Sequence, residues 1–501
     1  MAHPLLAWLV AQGGTVSEHV AIHEFAVQDG GRGMAALHEV DADTTLFSIP
    51  RPLLLSPRNS ELQRMFGEHE WRKLCLHKGW GGLILCMMWE HAQGPASKWA
   101  DYLSSMPTEF STLMFWSEEE LKDLQASYVT DKVGRDDAER IYHSSIVPAL
   151  QSRPDLFLPA HAAYYSLERF HIMGSRILSR SFTVQDPSEG EEGSEGEGDG
   201  AHDRGSHAGE PPAQSGDGDV SMEDVQLGPA EEVPEHHDED SDEEAEDEYA
   251  TAMVPIADIL NARTGSNNAR LFQEKDSLRM VAIAPIPAGA QVWNTYGECA
   301  NQDLLRKYGY VDVIPLENDK HFGNPSDIAE VKADLFVRTA VVQGKIKQQD
   351  TEERIEWWLE AGGDDVFDLD RSYEISQEVL SFSTLLLLNA AEWDKVRQKN
   401  KPPKRKPDSE LLKLVLATLR TRAAEYTTSI EDDERLSASL DPERDWKKRN
   451  AVVVRLGEKR ILATTIEKCD EMLVALSPVS KVEKRKASGT DSNARGKRQK
   501  R

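Results

Sequence analysis

Three short stretches combine glycines with polar side chains, the mix that a small-molecule site needs. They are Gly31-Arg32-Gly33-Met34-Ala35-Ala36, then Val254-Pro255-Ile256-Ala257-Asp258-Ile259-Leu260-Asn261, then Trp293-Asn294-Thr295-Tyr296-Gly297 followed by Asn301 to Tyr310. The first fits G-x-G-x-x-A, the spacing that lets backbone approach a dinucleotide pyrophosphate. That chemistry requires a helix straight after the glycines and an acid about 20 residues on. Neither is present: Met34 to Val40 and Leu46 to Pro50 read as strand, turn, strand, and Arg51-Pro52 stand where the acid would fall. Taken singly, the polar residues also have plain structural readings. Asn261 suits an Asn-turn, Asp258 a helix cap, Arg180 a surface ion pair, and Tyr296 and Tyr310 core packing. Cys75, Cys86, Cys299 and Cys469 form no C-x-x-C pair and have no histidine at zinc-ligand spacing, which argues against structural zinc and a disulfide framework.

The elements that must position these stretches follow from periodicity. From Val20 to Ser56, short apolar runs alternate with Gly and Asp clusters, which predicts small strands and hairpins. From Leu62 to Ser181 the period lengthens to that of helices, with Leu83, Met87 and Glu90 on one face. Strand character returns from Met253 to Val313, and helical patterns dominate up to Ser477. In the segment from Ser409 to Tyr426, residues Leu412, Val415, Leu416, Leu419, Ala423 and Tyr426 share a face. At the start of the chain, Leu5, Leu6, Trp8 and Leu9 form the buried side of a first helix. That run has no basic flank and is too short for a membrane span, so a soluble intracellular protein is expected.

With 39% apolar residues among 501, the chain has material for real cores in two or three domains. Its net charge of −29 is concentrated: 25 acids against Arg204 between Asp186 and Glu248 give −24, leaving −5 for the rest. Such a composition cannot bury enough apolar surface to offset chain entropy, so disorder is expected over 186–250. The basic stretch Lys401 to Lys406 reads as an exposed loop. In the tail, Lys484-Arg485-Lys486 and Lys497 to Arg501 are spaced like a bipartite nuclear import signal, or else form a solvated basic tail.

Together and in this order, the three stretches resemble the split SET domain of the Rubisco large-subunit methyltransferase class. Ser97-Lys98-Trp99, Tyr102-Leu103, Pro107, Ser179-Arg180 and Arg455-Leu456-Gly457-Glu458-Lys459 add to the likeness. His171 to Arg176 and Asn261-Ala262 look most like the ribosomal lysine methyltransferase 4 type. The resemblance implies an α+β protein: a mainly β SET core split by a helical insert, followed by an α-helical substrate-binding domain. Its parts would be 1–60 and 251–315 for the core, 61–185 for the insert and return, 186–250 for the acidic insertion, 316–477 for the helical domain and 478–501 for the tail. It implies a protein-lysine N-methyltransferase using S-adenosylmethionine and no metal. Backbone of Arg32, Gly33 and Met34 would hold the cofactor, with Asn261, Ala262 through its backbone only, Tyr296 and Tyr310. Ser179, Arg180 and Asp258 would line the lysine channel, and Tyr296 would be catalytic. The implied partner is a lysine-bearing, ribosomal or other non-histone protein, with no membrane and no sequence-specific nucleic acid. A monomer in the nucleus, or also the cytoplasm, is expected. Two other classes compete: a silent SET-like peptide binder and an acidic chaperone for basic proteins.

Methyl transfer from a sulfonium to an amine needs the amine unprotonated. At pH 7, removing the proton from a free lysine costs about 4.6 kcal/mol. A cation about 4 Å away at an effective dielectric of about 20 opposes the ammonium by roughly 4 kcal/mol, so the cofactor itself helps discharge the substrate. Alignment and a dry channel are then left to the protein.

Overall fold

The computed structural model describes residues 3–26, 29–185, 249–316 and 321–476. The expected disorder of the acidic segment and the import signal of the basic tail fall outside the described residues. The chain divides into two compact units, 1–115 with 133–298 and 306–309, and 116–132 with 299–305 and 310–501. Mixed helix and strand confirm the α+β class.

In the first unit, α1 (Pro4–Ala11) starts on a proline, whose missing N–H is harmless in a first turn, and buries Leu5, Leu6, Trp8 and Leu9. Strands β1 (Thr15–Val16), β2 (Val20–Glu24), β3 (Arg32–Ala36) and β4 (Thr45–Pro50) follow. A helical block then supplies α2 (Gly81–Ala92), α3 (Ala100–Ser105) and α4 (Leu167–Arg180). Glu90 lies buried on α2, satisfied by the hydroxyls of Ser60 at 2.8 Å and Ser97 at 2.7 Å. Helix α4 passes directly into β5 (Ser181–Gln185), which pairs with β6 (Tyr249–Met253). Gln185 lies opposite Tyr249, so the acidic insertion leaves and rejoins one end of a hairpin. Loop entropy grows slowly with length, and the insertion therefore disturbs little. Strands β7 (Ala269–Gln273), β8 (Ser277–Ala282) and β9 (Gln291–Val292) complete two antiparallel sheets, ordered β1-β4-β8-β7 and β2-β3-β9.

The second unit pairs β10 (Ala329–Lys332) with β11 (Val366–Leu369) and packs α5 (Ala333–Val342), α6 (Gln377–Leu387), α7 (Ala390–Lys399), α8 (Ser409–Ala423), α9 (Ile430–Ser439) and α10 (Trp446–Leu476). The run from Ser376 to Arg397, helical throughout by pattern, is broken because Leu388 is extended. Asn389 then caps α7 in a reciprocal box with Glu392. On α8, Leu412, Val415, Leu416 and Leu419 are buried as the period predicts. The stretch Arg455 to Lys459 acts as a clamp. Arg455 and Lys459 each reach Asp433 at 2.6 Å, and Glu458 accepts from Ser127 at 2.5 Å and from Tyr426. A Cβ on Gly457 would stand 2.7 Å from Asp327 Oδ2. Among the described residues no helix is long and apolar enough to cross a membrane.

Candidate active site

The three sequence stretches meet in the first unit. Gly30 and Gly31, at φ +96° and +64°, turn the chain into β3, and no helix follows. Gly33 lies inside the strand and is small for another reason: a Cβ there would stand 2.5 Å from Gln291 Oε1 and 2.8 Å from Asn261 Nδ2. The Asn261 amide fills that space, donating to the Arg32 carbonyl at 3.3 Å and to Gln291 Oε1 at 2.7 Å. The Asn294 N–H donates to the Asn261 carbonyl at 2.9 Å, and Ala262 and Asn294 form a parallel bridge. Tyr296, two residues on, donates its hydroxyl to the Leu260 carbonyl at 3.1 Å. Thus glycine turn, P-I-A-D-I-L-N stretch and N-T-Y-G turn are joined by hydrogen bonds. The second stretch is held in a costly shape: buried Ile256 has φ +72°, where a β-branched residue is a genuine outlier.

Beside this junction lies an enclosed group of charges. Asp258 sits on a short 3-10 turn, with its Oδ2 accepting from the Tyr102 phenol at 3.2 Å and lying 3.7 Å from Arg180. Arg180, at the end of α4, also donates to the Asp258 carbonyl at 2.5 Å. Asp258 Oδ1 and Arg180 Nε are buried and have no hydrogen-bond partner among the described residues. Burial raises the Asp258 carboxyl, although Arg180, Tyr102 and Arg32 oppose it. Burial, aided by Arg180, holds Arg32 below the usual arginine range. Arg176 is lowered to about 10 by burial and donates to the Pro107 carbonyl at 3.1 Å. The Tyr296 phenol is raised to about 12, mainly by burial of its hydroxyl, so it stays protonated near neutrality.

Of the residues singled out by sequence, Arg32, Gly33, Asp258, Asn261, Ala262, Arg180 and Tyr296 come together here. Met34 is paired within the β2-β3-β9 sheet with its side chain fully buried. Ser179 spends its hydroxyl on the Ser175 carbonyl at 2.7 Å. Tyr310 belongs to the second unit, and the ring stacked on Tyr296 is that of Tyr308, 4.1 Å between centroids at 10°. Three contributors escaped sequence reasoning. Tyr308 shares its motif with Tyr310, and its stacking on Tyr296 has no signal in the spacing. Tyr102 was visible as a motif residue without a role, and Gln291 gave no signal.

An unpartnered carboxylate oxygen next to an unpartnered guanidinium nitrogen suits a ligand that brings an amine N–H to the first or a carboxylate oxygen to the second. The donor set therefore fits the amino-acid part of S-adenosylmethionine and a lysine side chain.

Residues 347–462 match a family model described as Rubisco LSMT substrate-binding. Over 301 residues the chain is 31% identical to ribosomal lysine N-methyltransferase 4 of Saccharomyces cerevisiae, covering 59% of this chain and 52%, about half, of that protein. It is 29% identical over 469 residues to N-lysine methyltransferase SETD6 of Homo sapiens, covering 87% and 84%. The structure of Rubisco LSMT bound to AdoMet shares the fold, with a TM-score of 0.61 at 18% identity over 95% of this chain and 93% of that one. These likenesses agree with the resemblance to the SET-domain class of the Rubisco LSMT type. The junction described above lies in the first unit, and the second unit carries the substrate-binding match.

Proposed function

We propose that this SET-domain chain transfers a methyl group from S-adenosylmethionine to a lysine of a ribosomal or other non-histone protein. The observation that carries the reading is the meeting of Tyr296, Asn261 and Arg32 around the enclosed Asp258–Arg180 pair. When bound, the cofactor supplies an electrophilic methyl on a sulfonium. Arg32, Gly33, Asn261 and the backbone of Ala262 would hold it. Arg180 and Asp258 would border the lysine channel. Because Tyr296 donates to the Leu260 carbonyl, its hydroxyl is fixed at the junction where the amine would arrive. The three arginines Arg32, Arg176 and Arg180 outnumber Asp258, so the enclosure opposes an ammonium and favours the neutral amine that attack requires.

Purified protein incubated with labelled S-adenosylmethionine and a ribosomal-protein fraction should label a discrete band at lysine. Replacing Tyr296 by Phe should lower kcat by about 100-fold or more, the scale of one lost transition-state hydrogen bond. Labelling by Tyr296→Phe equal to the wild type would instead favour a silent peptide-binding module. Support for a ribosomal substrate comes from the name of the yeast relative. The acidic segment would draw a basic substrate at low salt, and the basic tail would direct the protein to the nucleus. Deleting 186–250 without loss of kcat/KM at low salt would remove the first idea, and a tail-fused reporter that stays outside the nucleus would remove the second.

A further inference from the structure

We propose that Tyr102, contributed by the helical insert, is a positioning residue that holds Asp258 so that its second oxygen is offered to the substrate lysine. The inference rests on the methyltransferase reading and deepens it. Among the described residues Asp258 is fixed from one side: Oδ2 takes the Tyr102 hydroxyl at 3.2 Å and Arg180 stands 3.7 Å away, whereas Oδ1 is buried without a donor. A carboxylate so enclosed loses water on both oxygens yet regains a partner on one. The unpartnered oxygen is the better acceptor for an amine that arrives later. Tyr102 is itself nearly completely buried and stacks on Trp8 at 6.3 Å between centroids, so its ring has little freedom to turn the hydroxyl away. The groups facing Asp258 are Tyr102 on α3, Arg176 and Arg180 on α4, Arg32 on β3, and Tyr296 on its turn. Among the described side chains, Tyr102 is the one that donates to the carboxylate within hydrogen-bond distance.

A phenylalanine keeps the shape of the ring and removes the donor. With the full-length protein, labelled S-adenosylmethionine and a ribosomal-protein fraction as probe, Tyr102→Phe should raise the apparent KM for the labelled band by about tenfold. It should leave kcat within about threefold and the Kd for S-adenosylhomocysteine within about twofold. Losing a donor to the ionised carboxylate also favours its protonated form, so the acidic limb of kcat/KM should move to higher pH. In an Asp258→Asn background the same change should add nothing to KM. An unmoved KM and acidic limb would overturn the proposal. So would a joint fall of kcat, cofactor affinity and thermal midpoint, which marks a merely structural tyrosine, or full additivity with Asp258→Asn. A wild type that neither labels any band nor binds S-adenosylhomocysteine overturns the methyltransferase reading itself, and this inference with it.

Discussion

Replacing Gly33 by alanine tests whether the glycine motif serves the turn or the site. In the structure its Cβ would meet Gln291 Oε1 at 2.5 Å, Asn261 Nδ2 at 2.8 Å and Phe25 at 3.3 Å. Real Cβ atoms do not approach that closely, so Asn261 must withdraw and give up its bonds to Gln291 and the Arg32 carbonyl. Overpacking of this kind costs about 1–3 kcal/mol, and the two lost hydrogen bonds add about 1 kcal/mol each. The total, roughly 3–5 kcal/mol, falls on the residue assigned to the cofactor. Gly31 offers the contrast. At φ +64° nothing lies within 4 Å of its would-be Cβ, so Gly31→Ala carries only the left-handed backbone cost of about 1–2 kcal/mol. Urea unfolding and calorimetry with S-adenosylhomocysteine should separate the two: Gly31→Ala loses stability and keeps affinity, Gly33→Ala loses both. Wild-type affinity in a folded Gly33→Ala protein would refute the assignment of Asn261.

Other perturbations test the surrounding chemistry. Arg180→Met removes the only cation among the described residues within ion-pair distance of Asp258 and should cost about 3–5 kcal/mol, most of it recovered in Arg180→Met/Asp258→Asn; equal losses in the single and double variants would contradict this. In the second unit, burial lifts Glu458 from 4.5 to about 7, so the folded state binds this proton more tightly than the unfolded chain. Its contribution is therefore full below about pH 4.5 and is lost as the pH rises towards 7, by about 3 kcal/mol at most. Glu458→Gln, which cannot ionise, should flatten that part of the urea-midpoint profile between pH 4.5 and 8. Asp327, lifted to about 6 by burial, should leave a residual slope of the same sign, and parallel wild-type and variant profiles would refute the Glu458 assignment. Gly457→Ala should lower the midpoint because its Cβ would press on Asp327 Oδ2 at 2.7 Å; an unchanged midpoint would show that the carboxylate can step aside.

Much was legible in the sequence because it is local. Alternation of short apolar runs with glycine and aspartate turns located β2, β3 and β4. Helical period located α2, α8 and α10, and the absence of a helix after Gly33 ruled out a dinucleotide fold. The order of three motifs was enough to suggest the likeness that the similar proteins also carry. Local pattern failed where neighbours decide. Nothing in a helical period says that Leu388 will be extended, or that Trp116 to Lys132, inside the insert, clusters with the second unit.

What the sequence by itself determined was the three stretches that meet at the junction, since side-chain chemistry and motif spacing survive without coordinates. Only the tertiary structure decided how those residues are held. It made Gly33 a gap for Asn261, put the Tyr308 ring against Tyr296, and set Tyr102 behind Asp258. These are contacts between residues as much as 228 positions apart, such as Gly33 and Asn261, and they depend on distances of a few tenths of an ångström that no one-dimensional pattern encodes.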